Sequence, residues 1–217
     1  MSSIAHKTKR ISATWTRRLT LGCYFFLGIG LLALGYSAFV FADSHVYQAI
    51  QASKFTRASP LSEPHIALQG EVIGEIKVPR LKLQAIVVQG DSAASLRRAV
   101  GHTSISPLPG EWGNVALAGH RDTFFRPLRN IRVGDEIDFT TAHQNFQYVV
   151  DSIQVVAPND IEVLEPTTPR DLTLVTCFPF YFVGPAPKRF VVRAHEVNII
   201  LGEQIETIDG ITQELPK

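Results

Sequence analysis

Three segments of the chain carry residue types suited to acyl transfer. Thr173-Leu174-Val175-Thr176-Cys177 is an apolar run ending on a thiol, and Ala118-Gly119-His120-Arg121-Asp122 sets a histidine behind a glycine. Lys188-Arg189-Phe190-Val191-Val192 opens another apolar run with basic residues. A cysteine thiolate can attack a peptide carbonyl and hold the acyl group as a thioester. An imidazole that titrates near neutral pH can protonate the departing amine and later take a proton from an incoming one. A guanidinium stays charged and can donate hydrogen bonds to the oxyanion of the tetrahedral intermediate or to the substrate backbone. Losing one such donor raises a barrier by about 3 kcal/mol. Each residue also has a plain structural reading. Cys177 could be a small buried hydrophobe, His120 a turn residue and Arg189 a solvated strand end.

The cysteine count sharpens the choice. The chain has two cysteines, Cys23 in an apolar N-terminal run and Cys177 far downstream. A membrane boundary between them would keep them from bridging, so no disulfide framework is implied. A lone thiol in an exported domain needs a reason, and catalysis supplies one.

The elements that must position these residues read as β-rich. Candidate strands cover residues 72–78, 83–88, 114–118, 136–140, 146–156, 172–176 and 190–200, several of them rich in Val, Ile and Phe. Prolines fall mostly between them. Residues 92–100 suit a short helix with Asp91 as its cap. The pattern predicts an all-β barrel or sandwich with brief helical connections.

Upstream, residues 19–42 form an uncharged apolar run, long enough to cross a bilayer as a helix. Residues 1–18 hold Lys7, Lys9, Arg10, Arg17 and Arg18 and no acid. That asymmetry predicts a basic cytoplasmic tail, an anchor over 19–42 and an extracytoplasmic remainder. A cleaved signal peptide is the alternative, with a shorter apolar region and a small-x-small site. Residues 43–71, partly helical and then Ser/Pro-rich, read as a linker. The catalytic domain is expected over 72–200, with a tail over 201–217. Net charge is +1, from 21 Lys+Arg against 20 Asp+Glu, which gives no basic face for a nucleic-acid partner.

The run TLVTC ending at Cys177 resembles the TLxTC signature of sortases, and AGHRD around His120 resembles their catalytic-histidine segment. The spacing from Cys177 to Arg189, and the apolar strand that follows, are similar to the family's arginine strand. IGEIKVPRLKLQAIVVQG resembles the first two strands of the sortase barrel, and GHRDTFFRPL and CFPFYFVGPAPKRF look most like class D. The resemblance runs from about residue 72 to 197. It implies an eight-stranded sortase-type β-barrel behind an N-terminal transmembrane helix. It also implies a cysteine transpeptidase that cleaves an LPxTG-like C-terminal sorting motif of exported proteins. The acyl group then passes to an amine acceptor, either a cell-wall precursor or a protein lysine. On this resemblance Cys177 is the nucleophile, His120 the general acid/base and Arg189 the oxyanion or substrate stabiliser, while Thr176 helps orient substrate. No cofactor or metal is called for.

Some alternatives stay open. Arg193 lies on the same strand face as Arg189, four residues on, and could be the partner instead. Asp122 could orient His120, and His102, His143 and His195 read as surface or turn residues. A hydrolytic Cys/His endopeptidase would use the same thioester. An L,D-transpeptidase would carry an SHGC-like run, which is absent. A non-catalytic tethered binding domain would bury Cys177 away from His120.

Overall fold

The computed structural model describes residues 13–57, 67–182 and 184–197, so the expected C-terminal tail and the Ser/Pro-rich part of the linker lie outside the described residues. Two units are resolved by their internal packing, one ending at Ile50 and one starting at Gln51. Helix α1 spans Ala13–Arg57, 45 residues or about 68 Å at the α-helical rise. Its apolar part makes a candidate membrane span with mean hydropathy 2.1. No Pro or Gly interrupts the chain between Ala42 and Arg57, so the helix continues through the first half of the expected linker.

The second unit is a closed eight-stranded barrel. Its strands are β1 (Val72–Val78), β2 (Leu83–Gln89), β3 (Val100–His102), β4 (Gly113–Ala118), β5 (Glu136–Thr140), β6 (Asn145–Val156), β7 (Arg170–Phe178) and β8 (Lys188–Glu196). They close in the order β1-β2-β3-β4-β7-β8-β6-β5. β2–β3 and β4–β7 pair in parallel, and the other neighbours are antiparallel. Closure removes free sheet edges.

Alternation along the strands explains both the core and the outer surface. Val115 and Leu117 of β4, Leu172 and Leu174 of β7, and Val192 and Ala194 of β8 point inward and join one core with Ile76, Phe125, Phe139 and Tyr148. Asn114, Ala116, Ala118, Thr173, Val175 and Cys177 therefore face outward, as do Arg189, Val191 and Arg193.

Three local expectations are corrected. Helix α2 covers only Ala93–Arg98, and its N-cap is Ser92, whose hydroxyl accepts from the Ser95 N–H, rather than Asp91. The residues after it form β3, a three-residue strand too short to show a period in sequence. His102 ends that strand and is buried at 1% exposure, not on the surface. Its Nε2 lies 2.9 Å from the Pro107 carbonyl and 3.0 Å from the Ser106 hydroxyl, and its Nδ1 lies 2.8 Å from the Gln89 side chain. These partners replace the water that burial removes. Burial dominates its titration and holds its pKa below the usual histidine value.

Candidate active site

Strand pairing carries three chemistry-bearing residues to one level of the barrel. β4 and β7 run in parallel with Ala118 beside Val175. Beyond that pair the Gly119 N–H still donates to the Val175 carbonyl (3.1 Å), and the Gly119 carbonyl accepts from the Thr176 hydroxyl (2.7 Å). His120 thus leaves β4 at the level of Cys177. On the other side of β7, Cys177 pairs directly with Arg189 of β8. Directly paired residues have Cβ atoms about 5 Å apart and share a face. That face is the outer one. Cys177 is half-buried on it, and His120 is exposed.

The same register separates the two arginines. Arg193 pairs with Thr173, four residues below Cys177 or about 13 Å along the strand. Arg193 Nη2 donates to the Val163 carbonyl (3.2 Å). Arg189 Nη1 donates to the carbonyls of Ala186 (3.4 Å) and Lys188 (3.1 Å), which places the guanidinium at the root of the β7–β8 loop. Among the described residues these are its only hydrogen bonds, so most of its five donors remain available.

Thr176 is placed differently from the substrate contact expected of it. It faces inward at 2% exposure, and its hydroxyl is committed to the Gly119 carbonyl. It braces the peptide unit that leads into His120. Gly119 has a packing reason of its own: a Cβ there would lie 2.7 Å from the ring of buried Phe125. Asp122 is exposed in the turn after His120 and makes no side-chain hydrogen bond among the described residues. His143 and His195 are exposed, and His195 Nδ1 pairs with Asp151 at 2.6 Å.

Two further residues shape the site and carry little signal in sequence. Arg121 Nη2 donates to the carbonyls of Phe182 (2.7 Å) and Gly184 (3.1 Å), so the turn after His120 holds the β7–β8 loop. At the root of that loop Phe178, Phe180 and Phe190 pack with centroids 5.2–6.2 Å apart. Asn114 anchors the connection between β6 and β7. A polar residue inside the apolar strand GNVALA was the available clue. Among the described residues no group of three His, Cys, Asp or Glu side chains is arranged to hold a metal ion.

Chemically, a thiol flanked by an exposed imidazole and a guanidinium on an open strand surface is equipped for attack on an extended peptide. Comparison with known proteins gives the family. A family model, the sortase domain, matches residues 76–197. Sortase D of Bacillus subtilis is 27% identical over 191 residues, covering 80% of this chain and 96% of that protein. The solved structure of a Clostridium perfringens Sortase D5 transpeptidase matches with a TM-score of 0.63 and 27% identity, covering 72% of this chain and 99% of that one. Sortase A from Corynebacterium diphtheriae matches with a TM-score of 0.56 and 32% identity, covering 61% and 63%. Two of these three are named as D-type sortases, Sortase D and Sortase D5. With an eight-stranded barrel, a family match over more than half its length and a long apolar N-terminal helix, this chain belongs to the sortase family of cysteine transpeptidases.

Proposed function

We propose that the chain is a single-pass membrane transpeptidase that cleaves an LPxTG-like sorting motif at Cys177 and passes the acyl group to an amine. The Cys177 thiolate attacks the Thr carbonyl of the motif, and Arg189 donates hydrogen bonds to the oxyanion that forms. His120 protonates the departing Gly amine, leaving a thioester. The acceptor amine gives a proton to His120 and attacks the thioester carbonyl, which forms the new amide and frees the sulfur. Exported proteins bearing the motif are the donors, and a cell-wall precursor or a protein lysine is the acceptor. The N-terminus lies in the cytoplasm and the barrel outside, because the basic residues precede the span.

The observation that carries this reading is the row His120–Cys177–Arg189 across β4, β7 and β8, with its parity on the outer face. The strand surface below the row supports the choice of substrate. Ala118 and Val175 form a partly open apolar floor, while Asn114 and Thr173 are covered, at 1% and 0% exposure. From Cys177 to Thr173 is about 13 Å, the length of four extended residues such as Leu-Pro-x-Thr.

The test is mass spectrometry of the full-length protein incubated with LPxTG-like peptides. An acyl adduct on Cys177, absent in Cys177→Ala and released by an added amine as a new amide, is the expected result. A product formed only with water would make the chain a hydrolase, and absence of any adduct would remove the proposed nucleophile.

A further inference from the structure

The β6–β7 connection, residues 157–169, is held on the outer face of the sheet by side chains to which the proposed chemistry assigns no role. Asn114 sits on β4 at 1% exposure. Its Nδ2 donates to the carbonyls of Val163 (3.2 Å) and Glu165 (3.3 Å). Its Oδ1 accepts from the Thr173 hydroxyl (2.7 Å), and the two carbonyls, which can only accept, fix which end of the amide is nitrogen. Arg193 Nη2 donates to the same Val163 carbonyl. Three adjacent strands thus contribute one residue each to a single anchor, and the short 3-10 turn Glu162–Leu164 is what they hold. A buried amide inside an apolar strand is destabilising unless its donors are matched, and here both of its ends are used.

We infer that Asn114 is a positioning residue for substrate: with Thr173 and Arg193 it pins the 157–169 connection across the strand floor. The connection then forms the far wall of the groove that leads to Cys177. This inference rests on the proposed use of that groove by a sorting peptide. Its structural half, the anchor, stands without any substrate.

The experiment compares full-length wild type, Asn114→Ala and Arg193→Met in detergent micelles. Arg193→Met removes one of the two donors on the Val163 carbonyl and buries no new charge, so it serves if Asn114→Ala fails to fold. Three quantities are read: amide hydrogen exchange over 157–169, the iodoacetamide alkylation rate of Cys177, and kcat and KM for an LPxTG-like peptide. Faster exchange confined to 157–169 is expected. Alkylation should stay within about twofold of wild type, and KM should rise about tenfold with little change in kcat, the scale of one or two lost hydrogen bonds. Unchanged exchange in both variants would overturn the anchor, whatever the kinetics. Faster exchange with unchanged KM would overturn the role in substrate positioning. If wild type turns over no peptide, the proposed function fails and the positioning role fails with it, while hydrogen exchange still decides the anchor.

Discussion

Gly119→Ala tests how tightly the fold holds His120. The added Cβ would lie 2.7, 2.9 and 3.0 Å from three carbons of the Phe125 ring. Ordinary carbon contacts begin near 3.4 Å, so ring and backbone must separate by about 0.7 Å. Phe125 has no free space to retreat into, because it is fully buried in the core. Gly119 is tied on its other side by hydrogen bonds to Val175 and from Thr176. Whichever side yields, overpacking of this kind costs about 1–3 kcal/mol. For a domain of this size that corresponds to a melting temperature roughly 4–12 °C lower. If the backbone yields, His120 is displaced with it, and in the role proposed for His120 a shift approaching 1 Å costs on the order of 100-fold in rate. The assay measures melting and peptide transpeptidation of the full-length variant in detergent. Gly119→Ala/Phe125→Leu is measured beside it, because a smaller side chain at 125 makes room for the methyl. The double variant should recover part of the lost activity, giving non-additive energies. A single variant with wild-type melting and kcat would refute the argument. So would a double variant whose losses simply add.

Other outcomes follow from the same contacts. Thr176→Val keeps the shape of the side chain and removes the donor to Gly119, so about 1–3 kcal/mol of stability should be lost. In peptide kinetics kcat should fall with KM unchanged; a rise in KM alone would return Thr176 to the substrate. His102 has its native pKa held below 6.5 by burial, so the unfolded chain takes up a proton first as pH falls. Its contribution is complete above about pH 6.5 and shrinks toward the lowered native value, by at most about 1.4 kcal/mol per pH unit. Thermal melts at pH 7.5 and pH 5 should therefore differ more for wild type than for His102→Gln, and parallel pH profiles would refute this. Asp135 binds Arg80 through both oxygens and also accepts from the Arg132 N–H, which holds its pKa below 3.8. Its contribution is present above that value and is lost as pH falls through the native one. Asp135→Asn should cost about 1–2 kcal/mol at pH 7 and flatten the acid limb of the stability curve, as followed by denaturant titration.

Most of the barrel was legible because its strands alternate or are long and apolar. β1 and β5 begin and end where the pattern places them, and β6 starts one residue earlier. β8 ends at Glu196, and residues 198–200 of the expected strand lie outside the described residues. β3 was not legible: three residues after a helix carry no period, and what makes them a strand is pairing to β2 and β4 across the sheet. His102 shows the same limit, because its burial depends on partners at 89, 106 and 107 that only the fold assembles.

The site divides along the same line. Alternation within β7 already implies that Cys177 lies opposite in parity to Leu172 and Leu174, so an inward-facing leucine pair means an outward-facing sulfur. Alternation within β8 likewise puts Arg189 and Arg193 on one face, which is why sequence left both open. Choosing between them needs the register of β7 against β8, a long-range property set by how the two apolar rows meet in the core. A slip of two residues would preserve every inward and outward assignment and yet put Val191 beside the sulfur in place of Arg189. The parallel β4–β7 pairing is equally non-local, since the two strands are joined through β5, β6 and the 157–169 connection. Asn114 ties that connection back to β4 and β7, so the contacts that hold the groove wall also bear on the pairing of the strands that carry His120 and Cys177.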